Sequence, residues 1–415
     1  MSTHSLFHAT ATLLEMALQS GPGADRLYQQ QCRQHPAWGP RERRLVGDLL
    51  FQCLRHRRLL EADLPPNLPV SGAALVEAAL ARWHAPSPSH EADGPTPPRN
   101  WPVTPNNLPP AVRWSLPDWL WQRFQSLWGE LAPAEAEAFL EPAPLDLRVN
   151  RLKADAPMVL EKLAAQGIQA QEHPWIPGAL RLGGRVGADH LGVVTHGWAE
   201  IQDAASQLIA PLCQAGPGAT VVDLCAGGGG KSLHLAAMMN NHGSILASDN
   251  DARRLERMKP RLKRAGVSCV RLQPLRHERD KALARWQGQA DAVLVDAPCS
   301  GLGTLRRSPE LKWRLDPALL ASLAIRQLSL LGAGAALVKR GGMMVYATCS
   351  PLEEENEAVV QSFLAANTAF QLLDAPAALM RRGYPLPSPG GPWLRLSPAR
   401  HGTDAFCAAL LRRTR

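Results

Sequence analysis

Two cysteines of this chain share a setting. Cys299 lies in D-A-P-C-S-G-L-G-T-L and Cys349 in Y-A-T-C-S-P-L-E-E-E-N-E. Each follows an apolar run and is flanked by Pro, Ser or Gly, and Asp296 opens the first of the two stretches. A lone cysteine in apolar surroundings is ordinarily a small buried hydrophobe. Two of them, each just past a strand and one beside an acid, are parts from which a nucleophilic site can be built. A third stretch, L-C-A-G-G-G-G-K-S, runs from Leu224 to Ser232. Its end fits the phosphate-binding motif G-x-x-x-x-G-K-[ST], but Cys225 stands where the first glycine belongs. The dinucleotide fingerprint G-x-G-x-x-G fits less well, because its last glycine would fall on Ser232. A third reading takes in more residues. Strand, glycine loop, helix and a second strand ending in an acid bind adenosine-bearing cofactors, the acid accepting from ribose hydroxyls. Asp249 has the spacing of that acid, although a helix follows at once and a capping role would suit it too.

A thiol, an acid and a second assisting group suit one demanding reaction. Carbon 5 of a cytosine is too weak a nucleophile to attack a sulfonium methyl group directly. A thiolate adding to carbon 6 pushes electron density onto carbon 5 and divides one hard step into easier ones. An acid near ring nitrogen 3 stabilises the charge that develops there. A base must then take the proton from carbon 5 before the thiol leaves.

These residues need a frame that brings them to one edge. T-V-V-D-L, S-I-L-A-S-D, A-D-A-V-L-V-D and M-M-V-Y-A-T read as strands. They alternate with helices expected over 232–239, 252–265 and 317–337. This pattern predicts an α/β fold with a doubly wound parallel sheet over 197–415, ligands meeting the strands' carboxyl ends. Residues 1–85 read as helices, with Leu45, Leu49, Cys53 and Leu54 at helical spacing among arginines. Nine prolines between Pro86 and Pro110 predict a stiff, extended linker over 86–115. Residues 116–196, with a β-like run from Leu145 to Leu152, form a small α+β region.

The bulk properties narrow the partners. The 415 residues carry a formal charge of +8, with 45% apolar and 20% charged residues, so a sizeable core and a polyanionic partner are both expected. Arg306, Arg307 and Lys312, just past the Cys299 loop, are placed to guide a nucleic-acid backbone. The eight cysteines form no C-x-x-C pair, which excludes a zinc ribbon and points to reduced thiols and no metal. The first residues have no secretory pattern and no long uncharged apolar stretch follows, so a cytoplasmic monomer without a membrane span is expected.

The chain resembles the RsmB (Sun/Fmu) type RNA cytosine-5 methyltransferases, which use S-adenosylmethionine. The resemblance covers most of the chain. It rests on D-A-P-C-S-G-L-G-T-L-R-R-S-P-E-L-K-W at 296–313 and G-G-M-M-V-Y-A-T-C-S-P-L-E-E-E-N-E at 341–357. D-L-C-A-G-G-G-G-K, Q-D-A-A-S-Q-L, L-R-V-N and H-G-T-D-A-F add to it. The N-terminal helices look like a NusB-like RNA-binding domain. The resemblance implies a Rossmann-like methyltransferase domain with Cys349 as the thiol that bonds to carbon 6. Cys299 would be the cysteine that helps release the adduct, and Asp296 the acid near cytosine and cofactor. Cys225, Ala226, Gly227, Gly228, Gly229, Gly230 and Lys231 would hold S-adenosylmethionine, with Asp249 on its ribose. Ribosomal RNA of the small subunit is the first expected substrate and transfer RNA the second. A non-catalytic assembly factor is the reading from another class. Two positions depart from the family pattern: Gly228 stands where Pro is usual, and Pro274 stands where an acid near the adenine is usual, which predicts weak cofactor binding.

Overall fold

The computed structural model describes residues 3–19, 21–83, 107–184, 186–187, 191–387 and 391–415. By its internal contacts the chain falls into two compact units. One is Met1–Pro142 with Thr304–Pro317, and the other is Ala143–Gly303 with Ala318–Arg415. The cut at Pro142 divides the segment 116–196 that the sequence suggested as one region.

The first unit is helical. Thr3–Leu18, Ala24–Gln34, Pro40–Arg55, Arg57–Glu61 and Gly72–Trp83 bury Leu13, Leu14, Leu49, Leu50, Cys53, Leu54 and Val76 in one core. The helical spacing of those leucines is what turns a single apolar stripe inward. Most of the expected linker (84–106) lies outside the described residues. Its end does not: Pro110–Arg113 is a helical turn, with Pro110 at the first position, where its missing N–H costs nothing.

The segment Thr304–Pro317 packs as part of this unit. Glu310 Oε1 accepts from the Ala24 N–H at 3.0 Å. Trp313 Nε1 donates to the Leu54 carbonyl at 2.8 Å, and Arg314 Nε to that of Ala17 at 2.8 Å. Lys312 is 3% exposed, and its ammonium donates to the Arg55 carbonyl at 2.8 Å. Burial, with the charge of Arg55, pushes its pKa well below the usual lysine value. Lys312 therefore does not meet a nucleic-acid backbone as the sequence suggested. A motif so rich in cations reads as a surface, and only the helices it inserts among show otherwise.

The second unit holds two sheets. The strands β1 (Asp146–Val149), β2 (Ala170–Glu172), β3 (Ala179–Leu182) and β4 (Ala199–Ile201) form an antiparallel sheet in the order β2-β3-β1-β4. Leu147, Val149, Leu180 and Leu182 pack with Val159, Leu163 and Val193 from the helices Ala156–Ala164 and Gly192–Thr195.

The larger sheet comprises β5 (Thr220–Asp223), β6 (Ser244–Asp249), β7 (Val270–Pro274), β8 (Ala290–Asp296), β9 (Val338–Thr348), β10 (Phe370–Leu373), β11 (Leu394–Leu396) and β12 (Phe406–Arg413). Its order is β10-β12-β9-β8-β5-β6-β7, with β11 also on β12. Five strands, β9-β8-β5-β6-β7, are parallel. The strand β12 is antiparallel to β9, β10 and β11, so the sheet is mixed rather than wholly parallel. Along each central strand, neighbours go to opposite cores: Val221, Ile245, Leu294 and Val345 to one, Val222, Leu246, Val293 and Met344 to the other. Both faces are covered, which is why these strands read as continuous apolar runs. The helix Pro317–Leu337 is long and apolar enough to cross a bilayer. It carries Arg326 and buries Gln327, Leu330 and Leu331 on one side, while Leu319 and Ile325 are exposed.

Candidate active site

Four parallel strands end in polar residues at one edge of the large sheet: β5 at Asp223, β6 at Asp249, β8 at Asp296 and β9 at Thr348. Asp249 and Asp296 close their strands, and Cys225–Lys231, Cys299 and Cys349 follow the ends of β5, β8 and β9. A parallel sheet places all such loops at the same end.

The two cysteines meet there, with Cys299 Sγ and Cys349 Sγ 3.3 Å apart. The hydrogen bond to Cys349, then burial, then the charges of Cys349 and Glu355 drive the Cys299 thiol well above its ordinary pKa. Cys299 is thus a neutral thiol beside a second sulfur. Backbone holds the pair in register. Gly303 N–H donates to the Cys349 carbonyl at 2.8 Å, and Ala405 N–H donates to the Gly303 carbonyl at 3.0 Å. A methyl group at Gly303 would overlap the carbonyl oxygens of Ala405 and Cys349, the latter at 2.7 Å. Only glycine permits this approach.

Glu355 ties the two cysteine loops together and Asn356 braces the Cys349 loop from within; the sequence reading had not singled them out. Glu355 is fully buried; it accepts from the Ser300 N–H at 2.8 Å, the Ser300 hydroxyl at 2.5 Å and Gln327 Nε2 at 3.0 Å. Asn356 Nδ2 donates to the Ser350 and Leu352 carbonyls at 2.9 and 2.7 Å, and its Oδ1 accepts from Thr348 Oγ1 at 2.7 Å. The run E-E-E-N was visible, but nothing local tells which of three glutamates turns inward.

Asp296 faces Lys231, with Oδ2 and Nζ 2.6 Å apart. Burial opposes the lysine's charge, but Asp296 outweighs it and holds the pKa of Lys231 above its ordinary value. The ammonium also lies 5.1 Å from the centre of the Phe406 ring. A lysine neutralised by a carboxylate at this distance offers little to a phosphate, which weakens the nucleotide-triphosphate reading.

The glycine loop needs its glycines: Gly227 and Gly229 have φ of +55° and +87°, in the region that side chains disfavour. Asp249, 4% exposed, supports the loop by accepting from the Gly227 N–H at 2.8 Å. Its other oxygen accepts from the Asp251 N–H at 2.8 Å. The cap of helix Ala252–Ala265 is Asp251, not Asp249, so the capping alternative for Asp249 falls away. Burial, followed by the charges of Asp223 and Asp296, raises the pKa of the Cys225 thiol, which stays neutral. Pro274 ends β7 beside Asp249, the two being register partners, and the position holds no acid.

Asp223 was also missed. It is 1% exposed, with Oδ2 accepting from Ser232 Oγ at 2.6 Å and Oδ1 without a hydrogen-bond partner among the described residues. Burial drives its carboxyl up to about 7 against the Ser232 hydrogen bond, with help from Asp296.

Residues 212–412 match the family described as 16S rRNA methyltransferase RsmB/F, and residues 116–189 match the ferredoxin-like domain of RsmF/B-like methyltransferases. A ribosomal RNA small subunit methyltransferase B of Thermus thermophilus is 32% identical over 430 residues, covering 98% of this chain and 96% of the relative. The chain belongs to the RsmB/F methyltransferase family. Another member, the probable ribosomal RNA small subunit methyltransferase B of a Synechocystis strain, is 36% identical over 266 residues; the match spans 61% of this chain and 57% of that relative's length. A methyltransferase homologue from Pyrococcus horikoshii has the same fold at a TM-score of 0.61 and 29% identity, over 73% of this chain and 97% of that one.

Proposed function

We propose that this RsmB/F family member methylates carbon 5 of a cytosine in RNA, with small-subunit ribosomal RNA as substrate, using S-adenosylmethionine. Two thiols 3.3 Å apart at the ligand edge of the sheet carry this reading. The relatives from Thermus and Synechocystis are both named for the small-subunit ribosomal RNA, which supports the choice of substrate.

The donor set fits the cofactor. Asp249 offers a buried carboxylate for ribose hydroxyls. The helix Gly230–Met238 has no side-chain cap at its start, so its first N–H groups suit a carboxylate such as the aminoacyl end carries. When bound, S-adenosylmethionine supplies an electrophilic methyl group on a sulfonium sulfur.

The protein's own residues do the rest. The base must leave its stack to reach Cys349. The Cys349 thiolate forms a bond to carbon 6, and the electron pair moves onto carbon 5 and toward ring nitrogen 3. Asp296, as the acid, gives its proton to ring nitrogen 3, and the carboxylate left behind pairs with Lys231, 2.6 Å away. After transfer a base takes the carbon 5 proton, the C–H electron pair re-forms the bond between carbons 5 and 6, Cys349 leaves carbon 6 as a thiolate, and the proton on ring nitrogen 3 returns to Asp296. Cys299, a neutral thiol against Cys349, assists that release. Pro274 leaves the adenine end without an acid, so the dissociation constant for S-adenosylmethionine lies above the submicromolar range; titration calorimetry checks this.

Methyl transfer from radiolabelled S-adenosylmethionine to unmodified ribosomal and transfer RNA tests the whole reading. Wild type should label cytosine at carbon 5 of ribosomal RNA. Cys349→Ala should transfer nothing, and Cys299→Ala should accumulate a protein–RNA adduct that survives denaturation. Wild type that binds RNA yet labels neither substrate overturns the enzymatic reading in favour of an assembly factor.

A further inference from the structure

Helix Ala252–Ala265 sends Arg261 toward the glycine loop. Its Nη1 donates to the Gly228 carbonyl at 2.5 Å. Its Nε and Nη2 donate to Glu200 Oε2 at 3.1 and 2.7 Å. Arg264 Nη2 donates to the other Glu200 oxygen at 2.9 Å. Glu200 lies on β4, and its side chain is 3% exposed. Burial works to raise its pKa, but Arg261 and Arg264 outweigh that and hold it below the usual carboxylate value. A buried, ionised carboxylate thus fixes the plane of one guanidinium, whose remaining donor points at the loop.

The loop has reason to need this. Residues 227–230 are four glycines in a row, with no side chain to anchor them. A glycine-rich backbone loses more conformational freedom on ordering than any other, and a loop ordered only on binding lowers affinity by that cost. A planar fork held on one side by a carboxylate loses little freedom in holding a carbonyl on the other.

We propose that Arg261, oriented by Glu200, is a positioning residue for the cofactor loop: it pre-orders Gly228 and ties the loop to the small antiparallel sheet. The proposal rests on reading residues 225–231 as the S-adenosylmethionine loop. Arg264 supplies the control, since it pairs with the same carboxylate and does not touch the loop.

The experiment compares Arg261→Met, Arg264→Met and wild type in the full chain. It reads the dissociation constant for S-adenosylmethionine by calorimetry, amide exchange at 226–230 without cofactor, and steady-state kinetics. Losing a charge-assisted hydrogen bond to the loop should weaken cofactor binding about tenfold in Arg261→Met. Exchange at the loop should rise, and KM for S-adenosylmethionine should rise by a similar factor while kcat and the KM for RNA hold. Arg264→Met should lower the melting temperature and leave both loop exchange and cofactor affinity at wild-type values. Arg261→Lys, which keeps the charge but not the fork, should recover stability without recovering affinity. The brace is overturned if the two Met variants weaken binding equally, or if Arg261→Met leaves affinity and loop exchange unchanged. Wild type that binds no S-adenosylmethionine overturns the cofactor reading, and this proposal with it.

Discussion

Asp223 gives the protein a pH dependence with a definite sign. Its carboxyl is raised from 3.8 to about 7 in the folded chain by burial. Below the lower value both folded and unfolded chains hold the proton. Between the two values the unfolded chain releases it first, so stability falls as pH rises across that window. Above about 7 the cost of the buried charge is complete. Asp223→Asn removes the titration. Melting temperatures from pH 4 to 8 should show wild type declining relative to the variant through the window, with the variant the more stable at pH 8. Parallel curves would mean that Asp223 does not titrate there. The two cysteines differ at this scale too: in Cys349→Ala the thiol of Cys299 loses the partner that contributes most to its raised pKa, so Cys299 should react faster with an alkylating probe in that variant than in wild type.

Among the elements, the contact between the two cysteine loops leaves no room for a side chain at Gly303. Gly303 sits between the carbonyls of Cys349 and Ala405, and a side chain there meets both. Gly303→Ala must push the loop after β8 away from the loop after β9. A misplacement of about 1 Å at reacting groups costs on the order of a hundredfold in rate. Single-turnover methyl transfer with saturating cofactor and RNA should therefore drop by about that factor. An unchanged rate would mean that the cysteine pairing is not what the reaction needs. Glu355 joins the same two loops, and Asn356 fixes the loop after β9 through Thr348, Ser350 and Leu352. Glu355 binds Ser300 of one loop and Gln327 of the helix Pro317–Leu337, so three elements share one buried carboxylate.

For the whole molecule, the charge of +8 predicts RNA binding that weakens steeply with salt. Not every cation contributes. Lys312 is buried with its ammonium on the Arg55 carbonyl. Lys312→Met should leave the slope of log affinity against log salt unchanged, as filter binding between 50 and 200 mM salt will show. A slope smaller by about one unit would place Lys312 on a phosphate. The same variant tests the pH response of the helical unit. The lysine's pKa is depressed on folding, so the unfolded chain binds the extra proton and stability rises with pH toward 10.5; the substitution should flatten that rise.

Much of the frame was legible because it is written in local pattern. The helices 252–265 and 317–337 and the strand ending at Asp296 have the limits their sequences suggest, since caps, breakers and apolar runs act over a few residues. The strand-end rule places Cys299, Cys349, Asp296, Asp249 and the glycine loop at one edge from the sequence alone. The C-terminal strands β10, β11 and β12 were not read: β10 and β11 are runs of four and three residues with little periodic signal, and β12 is a largely buried apolar run without the alternation that marks a strand. What only the tertiary structure decided involves partners far apart in the chain. The sulfurs of Cys299 and Cys349 lie 50 positions apart, and Lys312 and its carbonyl partner 257 apart. The sequence lists a cation, a glutamate or a glycine; whether Lys312 faces water, which of three glutamates turns inward and whether Gly228 is braced depend on which distant backbone arrives beside it. Burial and pairing are properties of that arrival, and they decide which of the chain's charges and thiols are available for chemistry.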